Sequence, residues 1–141
     1  MKVKVQFNKL YKILRVPAVL RIPHKRIASD FVIDTGSPHT ILNYTDSIRL
    51  GIPHNTKSEI VRMGGRVYQS YIYDNFEMIL KSLDNQEIIE KISIRVIKPI
   101  SSKMKEIENL DKFPNLLGLD FLEKWDLICK IKDNEIFLEK N

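Results

Sequence analysis

The sequence predicts a mainly β domain with one or two short helices. Three observations carry this: apolar and polar residues alternate over short runs, turn-forming residues punctuate those runs, and helical spacing is confined to two brief segments. Val3, Val5 and Phe7 alternate with Lys2, Lys4 and Gln6, as in a strand with one wet face. A second apolar run, from Tyr11 to Val16, meets Pro17, which is expected to stop it. The runs 19–22 and 27–33 continue the pattern around a turn at Pro23, His24 and Lys25. Thr45 is placed to cap a short helix over 46–50, which Gly51 and Pro53 terminate. Gly64-Gly65 separates the runs 59–63 and 67–73, a spacing that predicts a hairpin with a glycine tip. Strands are expected over 76–80 and 88–97, and a loop or weak helix over the charged segment 103–112. Apolar residues at helical spacing over 118–125 predict a second helix. A terminal hairpin over 127–131 and 135–138 turns at Asp133-Asn134.

With 141 residues, 43% apolar and 29% charged, the chain is expected to fold as a single domain over 1–141. The core is then large enough to need no disulfide or structural metal, and no cofactor is expected. The net charge is +5, but its 23 basic residues are interspersed with 18 acidic ones. That pattern reads as a solvated surface, so no nucleic-acid partner is expected. The lone Cys129, in LICKI, reads as an inert thiol near the core and points to a reducing compartment. Polar residues interrupt every apolar run before it reaches the length of a signal core or a bilayer span. A cytoplasmic protein without a membrane partner is the expectation.

The stretch FVIDTGSPHTIL, residues 31–42, puts a carboxylate where a buried strand ends. Desolvating a lone charge there costs several kcal/mol, on the order of what holds a small domain together, so Asp34 needs a partner or a task. Taken alone it reads as an Asx-turn. A second apolar-glycine run, Asn115-Leu116-Leu117-Gly118-Leu119-Asp120-Phe121-Leu122, lies most of a domain downstream, with Gly64-Gly65 between the two.

Those three features, in that order, resemble the retropepsin-like aspartic proteases from about Ile27 to the end of the chain. The resemblance implies a closed or partly open acid-protease barrel of six or more strands, with a flap hairpin and one short C-terminal helix. It implies Asp34 as the catalytic acid/base and Thr35, Gly36 and Ser37 as support for its loop. Met63, Gly64, Gly65 and Arg66 would form the flap over the substrate. Leu116, Leu117 and Gly118 would pack behind the site. Gly36 permits a tight turn, so that backbone N–H groups and the Ser37 hydroxyl can face the carboxylate. Thr35 exchanges hydrogen bonds with the partner chain's threonine in this family. One Asp-Thr-Gly triplet is too few for a two-lobed enzyme, so a homodimer is implied, with polypeptide in extended conformation as substrate.

Two positions depart from the viral pattern. An aspartate two residues after the loop glycine there pairs with an arginine directly after the second apolar-glycine segment, whereas Pro38 and Leu119 stand here. Both partners are absent together, so no buried charge is stranded. The form of 117–122 is closer to cellular and prokaryotic members. His24, His39 and His54 lack metal-ligand spacing and read as loop residues, and Trp125 reads as an anchor for the last helix. The alternative from another class is a noncatalytic module that keeps the fold and grips peptides or dimerises.

Overall fold

Residues 1–53, 57–63, 66–98 and 113–141 are described by a computed structural model. Their strands are β1 (Lys2–Lys4), β2 (Gln6–Asn8), β3 (Ile13–Ile22), β4 (Lys25–Ile33), β5 (Ile41–Leu42), β6 (Glu59–Met63), β7 (Arg66–Lys81), β8 (Glu87–Lys98), β9 (Leu116–Leu117), β10 (Asp126–Lys130) and β11 (Glu135–Glu139). Helix α1 spans Tyr44–Leu50 and helix α2 spans Leu119–Leu122. The larger sheet runs β2-β3-β4-β9-β5-β8-β7-β6, and β3 also pairs with β7. That last pairing closes a barrel from β3, β4, β9, β5, β8 and β7, the all-β acid-protease-like architecture expected. The charged pair Arg21 and Glu77 sits at the closure, where Arg21 Nε and Nη2 donate to the carboxylate at 3.1 and 3.2 Å. These hydrogen bonds hold the Glu77 carboxyl below the usual carboxylate range.

Alternation fills the barrel. Val16, Leu20, Phe31, Met78, Ile94, Val96 and Leu117 are fully buried in one core cluster. A second cluster, Ile41, Tyr68, Ile97 and Leu116, lies on the other face of the sheet with Val32, Val61 and Phe113 against it. Tyr71 points into the main core, 3% exposed, and its hydroxyl has no hydrogen-bond partner among the described residues. Burial, with a smaller contribution from nearby Tyr44, pushes this phenol up to about 12.

Several local expectations give way to partners that sequence spacing does not display. The N-terminal strand divides at Val5: β1 joins β11, and β2 joins β3. Tyr11 lies in the turn before β3, where Asn8 Oδ1 accepts the Leu10 and Tyr11 N–H groups and Lys12 takes a positive φ of 58°. Pro17 does not stop β3. It sits opposite Asp30 of β4, while the other edge of β3 is taken by β2 only up to Arg15 and by β7 only from Val19. The missing N–H falls in that gap, so no ladder bond is lost.

The strands expected over 67–73 and 76–80 are one strand, β7, with a bulge between Tyr73 and Phe76. Asn43, not Thr45, caps α1, its side chain accepting the Asp46 N–H at 2.7 Å. Gly51 ends that helix at φ 70°. The second helix is shorter than 118–125, although Trp125 anchors it by stacking on Phe121 with ring centroids 6.0 Å apart. Cys129 is exposed instead of buried, because it lies toward the outer end of the β10–β11 hairpin. Segment 103–112 lies outside the described residues.

Candidate active site

β4 delivers Asp34. Val32 and Ile33 pair in parallel with Leu116 and Leu117 of β9, and Leu116 pairs on its other side with Ile41 of β5. The two-residue strand β9 is thereby threaded between the strands that flank the 34–40 loop. Its ladder extends past both ends: Val32 N–H donates to Asn115 O at 2.8 Å, and Asp34 N–H to Leu117 O at 3.0 Å. The backbone of Asp34 is thus held by the Leu116-Leu117-Gly118 segment.

The loop itself is a tight turn, with Ser37 N–H donating to Asp34 O at 3.1 Å. Gly36 N–H donates to Asp34 Oδ1 at 2.9 Å, and this is the carboxylate's one hydrogen bond among the described residues. Asp34 is half-buried, while Thr35 and Gly36 are exposed. The Ser37 hydroxyl does not face the carboxylate. It is buried and donates to His39 O at 2.7 Å, so Ser37 shapes the loop but leaves the charge alone.

Gly118 is fixed by steric need. A Cβ there would stand 2.3 Å from His39 O and 2.7 Å from Ser37 O. Because the glycine is bare, Leu119 N–H reaches Ser37 O at 2.8 Å and the start of α2 docks on the loop.

Two further clamps were not legible as site features. Thr40, 2% exposed, donates its hydroxyl to Asp120 Oδ1 at 2.6 Å and its N–H to Asp120 Oδ2 at 3.0 Å, while its hydroxyl oxygen accepts the Gly118 N–H at 3.1 Å. Loop and helix are joined here without the ion pair missing at Pro38 and Leu119. Asn115, also 2% exposed, accepts the Asn43 N–H at 2.7 Å. Its amide donates to Asp46 Oδ2 at 2.7 Å and approaches Ser29 Oγ and Asp30 O. A buried polar residue abutting an apolar run was the available signal for Asn115, and an acid in the first turn of a helix was the signal for Asp120.

A cavity of about 280 Å³ opens beside the carboxylate, lined by Asp34, Gly36, Ser37, Pro38, His39, Ile41, Val61, Arg62 and Leu116. Val61 and Arg62 belong to β6, so the β6–β7 hairpin borders the cavity. Met63 pairs with Arg66 across the hairpin end. Gly64 and Gly65 lie outside the described residues. Arg95, on the same face as Ile41, reaches Ser70 Oγ at 2.9 Å and Glu59 Oε2 at 3.2 Å. A larger cavity of about 400 Å³ between α2 and β8 does not include Asp34.

No family model matches the sequence, and no curated protein does. Among solved structures, the chain is similar to the crystal structure of a retropepsin-like aspartic protease from Rickettsia conorii. The match has a TM-score of 0.59 at 14% identity and covers 99% of this chain and 91% of that one. At this identity the similarity speaks for architecture, and the chain has the fold of a retropepsin-like aspartic protease.

Proposed function

We propose that the chain is one half of an aspartic endopeptidase, whose site forms when two copies meet about a twofold axis with an Asp34 from each. The observation that carries the reading is the placement of Asp34. Its backbone is tied to β9 and one carboxylate oxygen to Gly36, and the other oxygen has no hydrogen bond among the described residues, beside a cavity that Ile41, Val61 and Leu116 line together with Ser37, His39 and Arg62. A structural Asx-turn needs no such cavity. The fold shared with an aspartic protease agrees with the reading.

In the assembled site, two carboxylates roughly 3 Å apart cannot both ionise, so they share a proton and titrate as a pair. The ionised member takes a proton from a water between them, and that water attacks the scissile carbonyl carbon. The protonated member donates to the carbonyl oxygen. The roles reverse as the C–N bond breaks and the amine leaves protonated. Gly36 N–H keeps each carboxylate in the loop plane, and Thr35 meets its counterpart across the axis. The hairpin residues Met63, Gly64, Gly65 and Arg66 act as the flap, closing on an extended peptide whose side chains enter the pocket formed by Ile41, Val61 and Leu116.

The test is cleavage of a denatured protein substrate between mildly acidic and neutral pH, by the wild type and by Asp34→Asn, with mass followed by sedimentation. The wild type is expected to cut as a dimer, and Asp34→Asn to dimerise without cutting. Cleavage persisting in Asp34→Asn refutes the assignment.

A further inference from the structure

We infer that the cavity beside Asp34 selects an acidic side chain of the substrate, with Arg62 as the residue that reads its carboxylate. The inference names a substrate class for the proposed function and rests on that reading where cleavage is concerned. At about 280 Å³ the cavity falls below the roughly 300 to 1,000 Å³ of a site for a whole small molecule, so it has the scale of a subsite. Ile41 and Leu116 are buried in its wall and Val61 is half-buried there. Arg62, the next residue of β6, is exposed and stands at the rim. Apolar walls below a cationic rim suit a side chain with an aliphatic stem and a charged end. The sign at that rim makes the end a carboxylate.

The charges around the cavity leave Arg62 uncommitted. Asp30, which shares a face of β4 with Val32, is paired with Arg15 at 3.1 Å. Glu59, which shares a face of β6 with Val61, is paired with Arg95 at 3.2 Å. Arg21 and Arg49 hold Glu77 and Asp46. Arg62 has no ion pair or hydrogen bond among the described residues. The acid that lines the cavity is Asp34 itself, and His39 beside it offers a ring N–H donor in either charge state. When two copies assemble, their Asp34 carboxylates share a proton, while each copy brings its own Arg62. The assembled cleft therefore holds a surplus of positive charge. A hairpin closing over it excludes water and strengthens any ion pair made there.

The place of the acidic residue follows from the lining. Because Asp34 borders the cavity, the side chain entering it belongs to a residue within two positions of the scissile bond, roughly 7 Å of extended chain. The twofold axis repeats the cavity on the other side of that bond. The substrate class is a polypeptide with an acidic residue flanking the cut. Glutamate fits better than aspartate, since its longer stem lies along Ile41, Val61 and Leu116 before the carboxylate meets Arg62.

The wild type is incubated with a denatured protein and the cut sites are read by mass spectrometry. Sites with an acidic residue within two positions should be enriched several-fold over the substrate's composition. Peptides spanning one such site, with either glutamate or the isosteric glutamine, then give a ratio of kcat/KM values that general loss of folded protein does not move. Glutamate should be favoured about tenfold. Arg62→Lys should keep most of that preference, Arg62→Gln should abolish it, and Arg62→Glu should favour a lysine peptide instead. A ratio near one in the wild type, or one unchanged in Arg62→Gln, overturns the selection and leaves Asp34-dependent cleavage standing. Fluorescence anisotropy with Asp34→Asn, using extended peptides with glutamate or glutamine at alternate positions, makes the comparison without cleavage. Arg62-dependent preference for the glutamate series, with no cleavage by the wild type, supports the selection and refutes the endopeptidase reading. Equal or absent binding of the two series overturns the selection.

Discussion

Thr40→Val is the sharpest probe of how the loop is held. Valine keeps the shape of threonine and removes only the hydroxyl, which here donates to Asp120 Oδ1 at 2.6 Å and accepts from Gly118 N–H at 3.1 Å. Two effects follow. A hydrogen bond to a carboxylate contributes about 1.5 to 3 kcal/mol, and a buried N–H left without a partner costs about 1 to 3 kcal/mol. Asp120 retains the Thr40 and Phe121 N–H groups, which softens the first effect. A net loss of about 3 kcal/mol is expected, a large part of the roughly 5 to 15 kcal/mol that holds a domain of this size. Thr40→Ser keeps both hydrogen bonds and loses one methyl group, for about 1 kcal/mol. The single tryptophan, Trp125, is buried against Phe121 beside the clamp and reports unfolding by fluorescence. Urea midpoints at constant m-value then give the two differences directly. Thr40→Val within 1 kcal/mol of the wild type, or Thr40→Ser as damaging as Thr40→Val, would refute the clamp.

Two glycines separate steric from conformational need. Gly118→Ala drives a Cβ to 2.3 Å from the His39 carbonyl at an ordinary φ of −96°, so backbone must move, and a loss of roughly 3 kcal/mol or more is expected in urea unfolding, in the range of severe core overpacking. Gly51→Ala meets nothing within 4 Å but holds φ at 70°, and should cost only about 1 to 2 kcal/mol; equal losses would contradict the distinction. Tyr71 gives a pH prediction. Its folded-state value is raised to about 12, so its contribution is fully present below the unfolded value near 10 and is lost as pH climbs from about 10 to 12. Stability should therefore fall more steeply over that window in the wild type than in Tyr71→Phe, which also removes a hydroxyl without a partner among the described residues and should equal or exceed the wild type at pH 7. Identical alkaline limbs would refute the assignment to Tyr71.

What was legible in the sequence is what depends on period and on local backbone chemistry. Alternation placed the long strands, and Gly51 and Asp133-Asn134 marked breaks between elements. The turn after Asp34 was legible from Gly36, whereas only the resemblance, not spacing, singled out the Leu116-Leu117-Gly118 segment. What was not legible depends on partners far along the chain. Pro17 is tolerated because of where β2 ends and β7 begins. Val3 and Phe7 alternate in phase but join different sheets. Ser37 has a donor to give, and only the folded loop decides that His39 O receives it. Thr40 and Asp120 are eighty residues apart in sequence, and neither type announces the other.

The clamp also bears on what the chain does alone and what it needs a copy to supply. Pro38 and Leu119 offer no ion pair between loop and helix, and Thr40 and Asp120 join the two by hydrogen bonds instead. A carboxylate met by one hydroxyl and two backbone N–H groups needs no buried cation, so the costly desolvation of a second charge is avoided. All its donors come from the same chain. The loop is therefore ordered before any partner arrives, and association has only to bring two preformed halves together, with little conformational entropy left to lose. On the proposed reading, folding fixes the position of each Asp34 while dimerisation sets its chemistry. Thr40→Val and Asp34→Asn should then fail in different ways: the first lowers unfolding stability at any concentration, and the second leaves fold and association intact and abolishes cleavage.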